Sequence, residues 1–84
     1  KIAFININKK FNFAYQRMKT YFSEIKKNKI SFDKNLYIEI PKNDSLLSEE
    51  VTRKLLKNKK VTAIICCTEY IAAGAIRACN DFKI

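Results

Sequence analysis

Apolar residues fall along this chain in two alternating rhythms. Ile2 to Ile7, IAFINI, is an unbroken run rich in β-branched residues, which predicts a strand buried on both faces. Asn6, Asn8, Lys9 and Lys10 mark its polar exit. From Ala14 the spacing turns helical. Ala14, Met18, Tyr21, Phe22 and Ile25 form one core-facing stripe, with Lys19, Ser23, Lys26 and Lys27 largely off it. Asn12 stands where an N-cap is expected, and Asn28-Lys29 is placed to close the helix, with Asn suited to a left-handed conformation. Leu36 to Ile40, LYIEI, predicts a second strand stopped by Pro41. Asp44, Ser45 or Ser48 can cap the next helix, which carries Leu47, Val51 and Leu55 on one face and exits at Asn58 through Lys59 and Lys60.

The third unit, Val61 to Ile76, is the one around which the others are arranged. Val61 to Cys67 predicts the most hydrophobic, buried strand, Thr68 the N-cap of a last helix, and Ile71, Ala75, Ala78 or Cys79, and Phe82 its apolar side. Ala72, Ala73, Gly74 and Ala75 leave that helix little bulk. Gly74 in mid-helix costs about 1 kcal/mol relative to Ala, so a close approach to a neighbour is expected there. The order β-α-β-α-β-α predicts a three-layer α/β fold, a doubly wound parallel sheet with right-handed crossovers and strand order 2-1-3. Ligands of such sheets bind at the carboxyl ends of the strands where the order reverses. Here that places a small-molecule site at Asn6 to Lys9 and Cys67 to Glu69, with Asn8 in the loop and Arg17 at the rim.

Size and charge narrow the picture. The chain has 84 residues, enough for one small domain burying about 60–65% of its unfolded surface. It opens on Lys1 directly before a strand and stops just after a helix, so residues 1–84 read as part of one subdomain of a longer protein. The net charge of +9 invites a nucleic-acid partner, but of 17 basic residues only Arg17, Arg53 and Arg77 are arginine. The lysines are scattered and gather near helix C-termini, where they complement the helix dipole, so they read as a solvated surface.

Three cysteines, two of them adjacent, make neither a disulfide framework nor a zinc signature, and there is no His to serve as general base or metal ligand. No metal or cofactor is expected. Cys66, Cys67 and Cys79 read as small buried hydrophobes of a reducing, cytoplasmic compartment. An enzyme with Cys67 as nucleophile would lack a base, a glycine-rich phosphate loop and a paired acid, so a non-enzymatic role is expected.

Specific motifs then carry a resemblance. Arg17-Met18 with Tyr21, Thr62-Ala63-Ile64, and Ala72 to Ala75 (AAGA), within the succession IAFININ, QRMKTYFSEIKKNKISFD, LYIEI, VTRKLL and VTAIICCTEYIAAGAIRACNDFKI, resemble the lac repressor/galactose repressor family. The resemblance is to the C-terminal subdomain of its effector-binding region, whose fold is shared with type I periplasmic sugar-binding proteins, and spans essentially the whole chain. It implies an effector-sensing part of a transcription regulator that binds a small molecule, with a sugar expected, in an inter-subdomain cleft. DNA would be contacted only through a separate helix-turn-helix head. It implies a homodimer, with the small-residue helix Ile71 to Cys79 as a candidate contact, and no membrane association. The alternative is the sugar-binding protein of an ABC-type transporter.

The resemblance also assigns roles. Arg17 is implied to reach into the cleft and bind ligand hydroxyls or a carboxylate, for which a planar guanidinium fork is suited. Thr68-Glu69 stands where the family usually has Asn-Asp, so Glu69 either accepts hydrogen bonds from ligand or simply favours the helix dipole, and Thr68 either contacts ligand or caps. Asn43 stands where the family often offers an aromatic platform. Phe13 or Phe11, in a loop that is usually small and polar, supplies stacking instead or belongs to the core.

Overall fold

The computed structural model describes residues 1–58 and 61–82; Lys59 and Lys60, expected at the exit of the second helix, lie outside the described residues. Three strands, β1 (Ile2–Ile7), β2 (Tyr37–Ile40) and β3 (Ala63–Cys66), alternate with three helices, α1 (Asn12–Lys27), α2 (Ser45–Asn58) and α3 (Glu69–Asp81). The sheet is parallel throughout and ordered β2-β1-β3, as expected from the element order. β1 is central, and Ala3 to Ile7 are all buried, which is why this strand shows no alternation.

The two faces are covered differently. On one, the Phe4 ring meets Tyr21 of α1 with centroids 5.2 Å apart, and the Tyr21 hydroxyl donates to the Ile2 carbonyl at 2.6 Å. Tyr37 joins this group from β2, 5.8 Å from Phe4. Burial and the hydrogen bond to Glu39 both push the Tyr37 phenol above its ordinary value. Asn6, at the strand's polar exit, is fully buried: its amide nitrogen donates to the Ala14 carbonyl at 2.9 Å and to the Tyr37 hydroxyl at 3.2 Å. Its oxygen accepts from Ile7 N at 2.9 Å, so the amide fixes the start of α1 over β1 with both ends satisfied.

On the opposite face, Ala3 and Ile5 align in register with Ile64 and Cys66, beneath α2 and α3. These helices pack tightly because of Gly74. A methyl group at its Cα would lie 2.1 Å from the Ser45 carbonyl oxygen and 2.9 Å from Glu49 N. Ser48, fully buried beside it, donates to the Ile71 carbonyl at 2.6 Å. Ile71 and the small residues Gly74, Ala75 and Ala78 are thus buried inside the fold. The side of α3 left exposed carries Tyr70, Ala73 and Ile76. At the exposed end of this contact, Arg53 bridges Glu49 and Asp81, and Arg77 Nε lies 2.8 Å from Glu49.

Several local expectations need correction. α1 begins at Asn12, and its N-cap is Phe11, whose side chain makes no cap bond; Asn12 is already helical. The left-handed residue that closes α1 is Lys29, at φ 54, not Asn28. Lys29 N reaches Lys26 O and Ile30 N reaches Ile25 O, the paired bonds of a Schellman closure. Leu36 belongs to a short 3-10 turn before β2, and of the three candidate caps it is Asp44 that accepts from Leu46 N and Leu47 N. β3 is shorter than expected and is not buried. Ala63 is exposed and Ile65 is 46% exposed, because β3 is an edge strand with no neighbour on one side among the described residues.

Candidate ligand crevice at the strand ends

The carboxyl ends of all three strands converge on one side of the sheet. After β1 the chain turns sharply. Asn8 N bonds to the Ile40 carbonyl at 3.1 Å, the Asn8 carbonyl accepts from Phe11 N at 3.2 Å, and its side-chain oxygen accepts from Lys10 N at 3.0 Å. Asn8 thus shapes the loop through its backbone N–H, its carbonyl and its side-chain oxygen. The turn sets Phe11 and Phe13 side by side, stacked with centroids 6.0 Å apart and tilted 25°. Lys10 Nζ lies 5.7 Å from the Phe11 ring centre, and the Arg17 guanidinium 5.3 Å from that of Phe13. Both rings remain more than two-fifths exposed, so neither belongs to the core.

From the other side come the loops after β2 and β3. Thr68 accepts from Ile71 N at 3.2 Å, capping α3 as expected, and donates to the Asn43 side-chain oxygen at 2.6 Å. One hydroxyl thus ends a helix and ties the two loops together. Between them and the phenylalanines lies a crevice of about 190 Å³, floored by Ile7 and walled by Phe11, Phe13, Pro41, Lys42, Asn43 and Thr68. It sits where the strand order reverses.

Of the residues singled out in the sequence, Phe13, Asn43 and Thr68 meet in this crevice. The other three do not line it. Asn8 supports the loop from below. Arg17 borders the crevice through Phe13, while its Nη1 is held by the Cys67 carbonyl at 2.8 Å and lies 3.3 Å from the Cys67 sulfur, latching α1 to the end of β3. Glu69 is exposed in the first turn of α3, the position at which a carboxylate favours the helix dipole. Nothing in the sequence distinguishes Lys42 or Lys10 from other surface charges, because a lysine beside a loop has no local signature. Only the folded chain puts Lys42 against the crevice.

Larger hollows lie elsewhere. One of about 690 Å³ runs between α1 and the edge of the sheet, lined by Ile2, Phe4, Tyr21, Ile25 and Ile65, and one of about 440 Å³ lies on the other face beside Ile64, Ala72 and Cys79. They flank the edge of β3, and the larger one is lined along α1 by Gln16, Arg17, Thr20, Glu24 and Asn28 as well, so Arg17 faces this hollow. The cysteines are all free, and burial pushes the Cys66 thiol up, with Cys79 and Cys67 adding to the effect, which disfavours a thiolate there. Among the described residues no cluster of His, Cys, Asp or Glu could hold a metal ion, and no helix is long and apolar enough to cross a membrane. No protein-family model matches the chain, and no curated protein is significantly similar to it.

Proposed function

We propose that this chain is the effector-sensing part of a transcription regulator of the lac repressor/galactose repressor type, with the strand-end crevice as one wall of its effector site. The observation that carries the reading is the meeting of Phe13, from the first turn of α1, with Asn43 and Thr68, from the loops after β2 and β3, in a hollow at the switch point of the sheet. The resemblance of Arg17-Met18 with Tyr21 and of Ala72 to Ala75 to that family supports it from the sequence.

Volume decides how the wall is used. Small-molecule pockets enclose about 300–1,000 Å³, and 190 Å³ holds only part of such a ligand. A second body closing over the crevice would complete the site, and effector binding would then bias the relative arrangement of the two bodies by its differential affinity for open and closed states. Sugars are the first class to examine, with Phe13 as the ring platform.

The test uses the full-length protein. Effector found by thermal shift should release the protein from its operator DNA, and Phe13→Ala and Arg17→Ala should each weaken effector binding at least tenfold by calorimetry, with an unchanged circular dichroism spectrum. Unchanged affinity in both variants counts directly against the reading.

A further inference from the structure

β3 is composed as an interior strand yet lies at an edge among the described residues, and we infer that a further parallel strand of this same polypeptide, the one entered from α3, pairs along its open side. This pairing holds whatever the crevice binds. Edges that stay open are ordinarily blunted by charges, proline or a bulge. Ala63 to Cys66, AIIC, has no charge and no proline. Its backbone is also set for a neighbour. Ala63 N bonds to the Lys1 carbonyl at 3.4 Å and Cys67 N to the Ile5 carbonyl at 3.1 Å. Successive residues of a strand turn their N–H and C=O groups to opposite sides, so Ile64 and Cys66 direct theirs to the open edge.

The two larger hollows lie on either face of this edge. Ile65 lines the one beside α1, Ile64 the one beside α3, and Cys66 lies against both. A strand sends its side chains alternately to the two faces of a sheet, so one strand laid along β3 would fill part of each hollow. Ile65 and Ile76, now 46% and 59% exposed, would face its side chains from the two sides. Covered on both faces, such a strand should itself be near-continuously apolar, as β1 is.

Chain direction identifies the occupant. Crossovers between parallel strands are right-handed, which ties the face a helix covers to the direction in which the chain steps across the sheet. Through α1, on one face, the chain steps from β1 to β2; through α2, on the other, it steps back past β1 to β3. α3 packs beside α2, on that second face. A strand following α3 therefore continues in the same direction, and the place it reaches is the outer side of β3. A second copy fits less well. Pairing β3 with its twin would put three strand spacings, about 14 Å, between the two β1 strands. α1 stands over Phe4 and Tyr37, on β1 and β2. The two α1 helices would then lie farther apart than the about 8–10 Å of packed helices, and the larger hollow of each copy would stay open.

Amide hydrogen exchange on the full-length protein, read by NMR, tests this. With the strand in place, the Ile64 and Cys66 amides should exchange about 100-fold or more slowly than in the unfolded chain, as core strands do, and equally at all protein concentrations. Cross-strand contacts from these amides should lead to the first strand after α3. Unprotected Ile64 and Cys66 amides beside a protected β1 would mean an open edge and overturn the inference. Protection lost on dilution would assign the edge to a second copy, and contacts to any other segment would assign it elsewhere; either result overturns it too. Ile65→Lys should lower the urea midpoint of the full-length protein, while Ala73→Lys, on the exposed side of α3, should leave it nearly unchanged. An Ile65→Lys variant as stable as wild type counts against the strand, because lysine suits an open edge. Should that variant fail to fold, the exchange measurement on the unaltered protein still decides.

Discussion

Replacing Gly74 with Ala should destabilise the protein although alanine is the better helix former. The new methyl would sit 2.1 Å from the Ser45 carbonyl oxygen and 2.9 Å from both Glu49 N and Ser48 Cβ. Carbon-to-carbonyl contacts close at about 3.3 Å, so α2 would have to move away by about 1 Å. Two of the three obstacles are backbone atoms, which have no rotamer through which to yield. Overpacking of a tight contact costs about 1–3 kcal/mol, and backbone obstacles place this case in the upper half, about 2–3 kcal/mol. Relief of the glycine helix penalty returns about 1 kcal/mol. The net loss is therefore about 1–2 kcal/mol, or about 4–16 °C in Tm for a domain of this size. Urea and thermal unfolding followed by circular dichroism would measure it. Ala73→Gly, one position away on the exposed side of α3, isolates the propensity effect and should cost about 1 kcal/mol. If Gly74→Ala raises Tm by several degrees, propensity outweighs packing and the account of the α2–α3 contact fails.

Two further outcomes follow from the same structure. Lys29 holds φ 54 at the end of α1, a conformation that costs a side-chain-bearing residue about 1–2 kcal/mol. Lys29→Gly should therefore stabilise by about 0.5–1 kcal/mol after glycine's greater unfolded freedom is subtracted, read as a higher urea midpoint; a lower midpoint would show that the lysine side chain contributes more than the strain. Glu49 has its carboxyl held below the ordinary value by hydrogen bonds from Arg77 and then Arg53. Because the folded value is the lower one, its contribution is fully present above the unfolded value of about 4.3 and is lost as pH falls through the folded value. The stability gap between wild type and Glu49→Gln should be level from neutral pH down to about pH 5 and should shrink below about pH 4; a gap that widens in acid contradicts the sign.

How far the site could be read in advance depends on the residue. Thr68 was legible because a hydroxyl between an apolar strand and a small-residue helix has a specific task, capping, and the structure shows it doing that. Its second bond, to Asn43, joins residues 25 apart and has no local signature. Arg17 was legible as a residue near the switch point, but its latch onto the Cys67 carbonyl was not, because that bond crosses from one helix to the end of a strand 50 residues later. Phe11 and Phe13 were left between core and platform. Hydrophobicity is the same in both cases, and exposure is decided by what else packs nearby.

The sequence by itself determined the elements, their order and the strand order β2-β1-β3, because apolar periodicity is local and right-handed crossovers leave few ways to connect alternating strands and helices. It also marked Gly74 as a close approach, since only packing justifies glycine in mid-helix. Tertiary structure decided the rest. β3 has the sequence of a buried strand and the environment of an edge, a difference set by the absence of a neighbour rather than by anything within Ala63–Cys66. The neighbour that approaches Gly74 is α2, which only the packed fold reveals. The crevice arises only when the start of α1 meets the loops after β2 and β3, because the lining of a hollow belongs to residues in contact and not to residues in order.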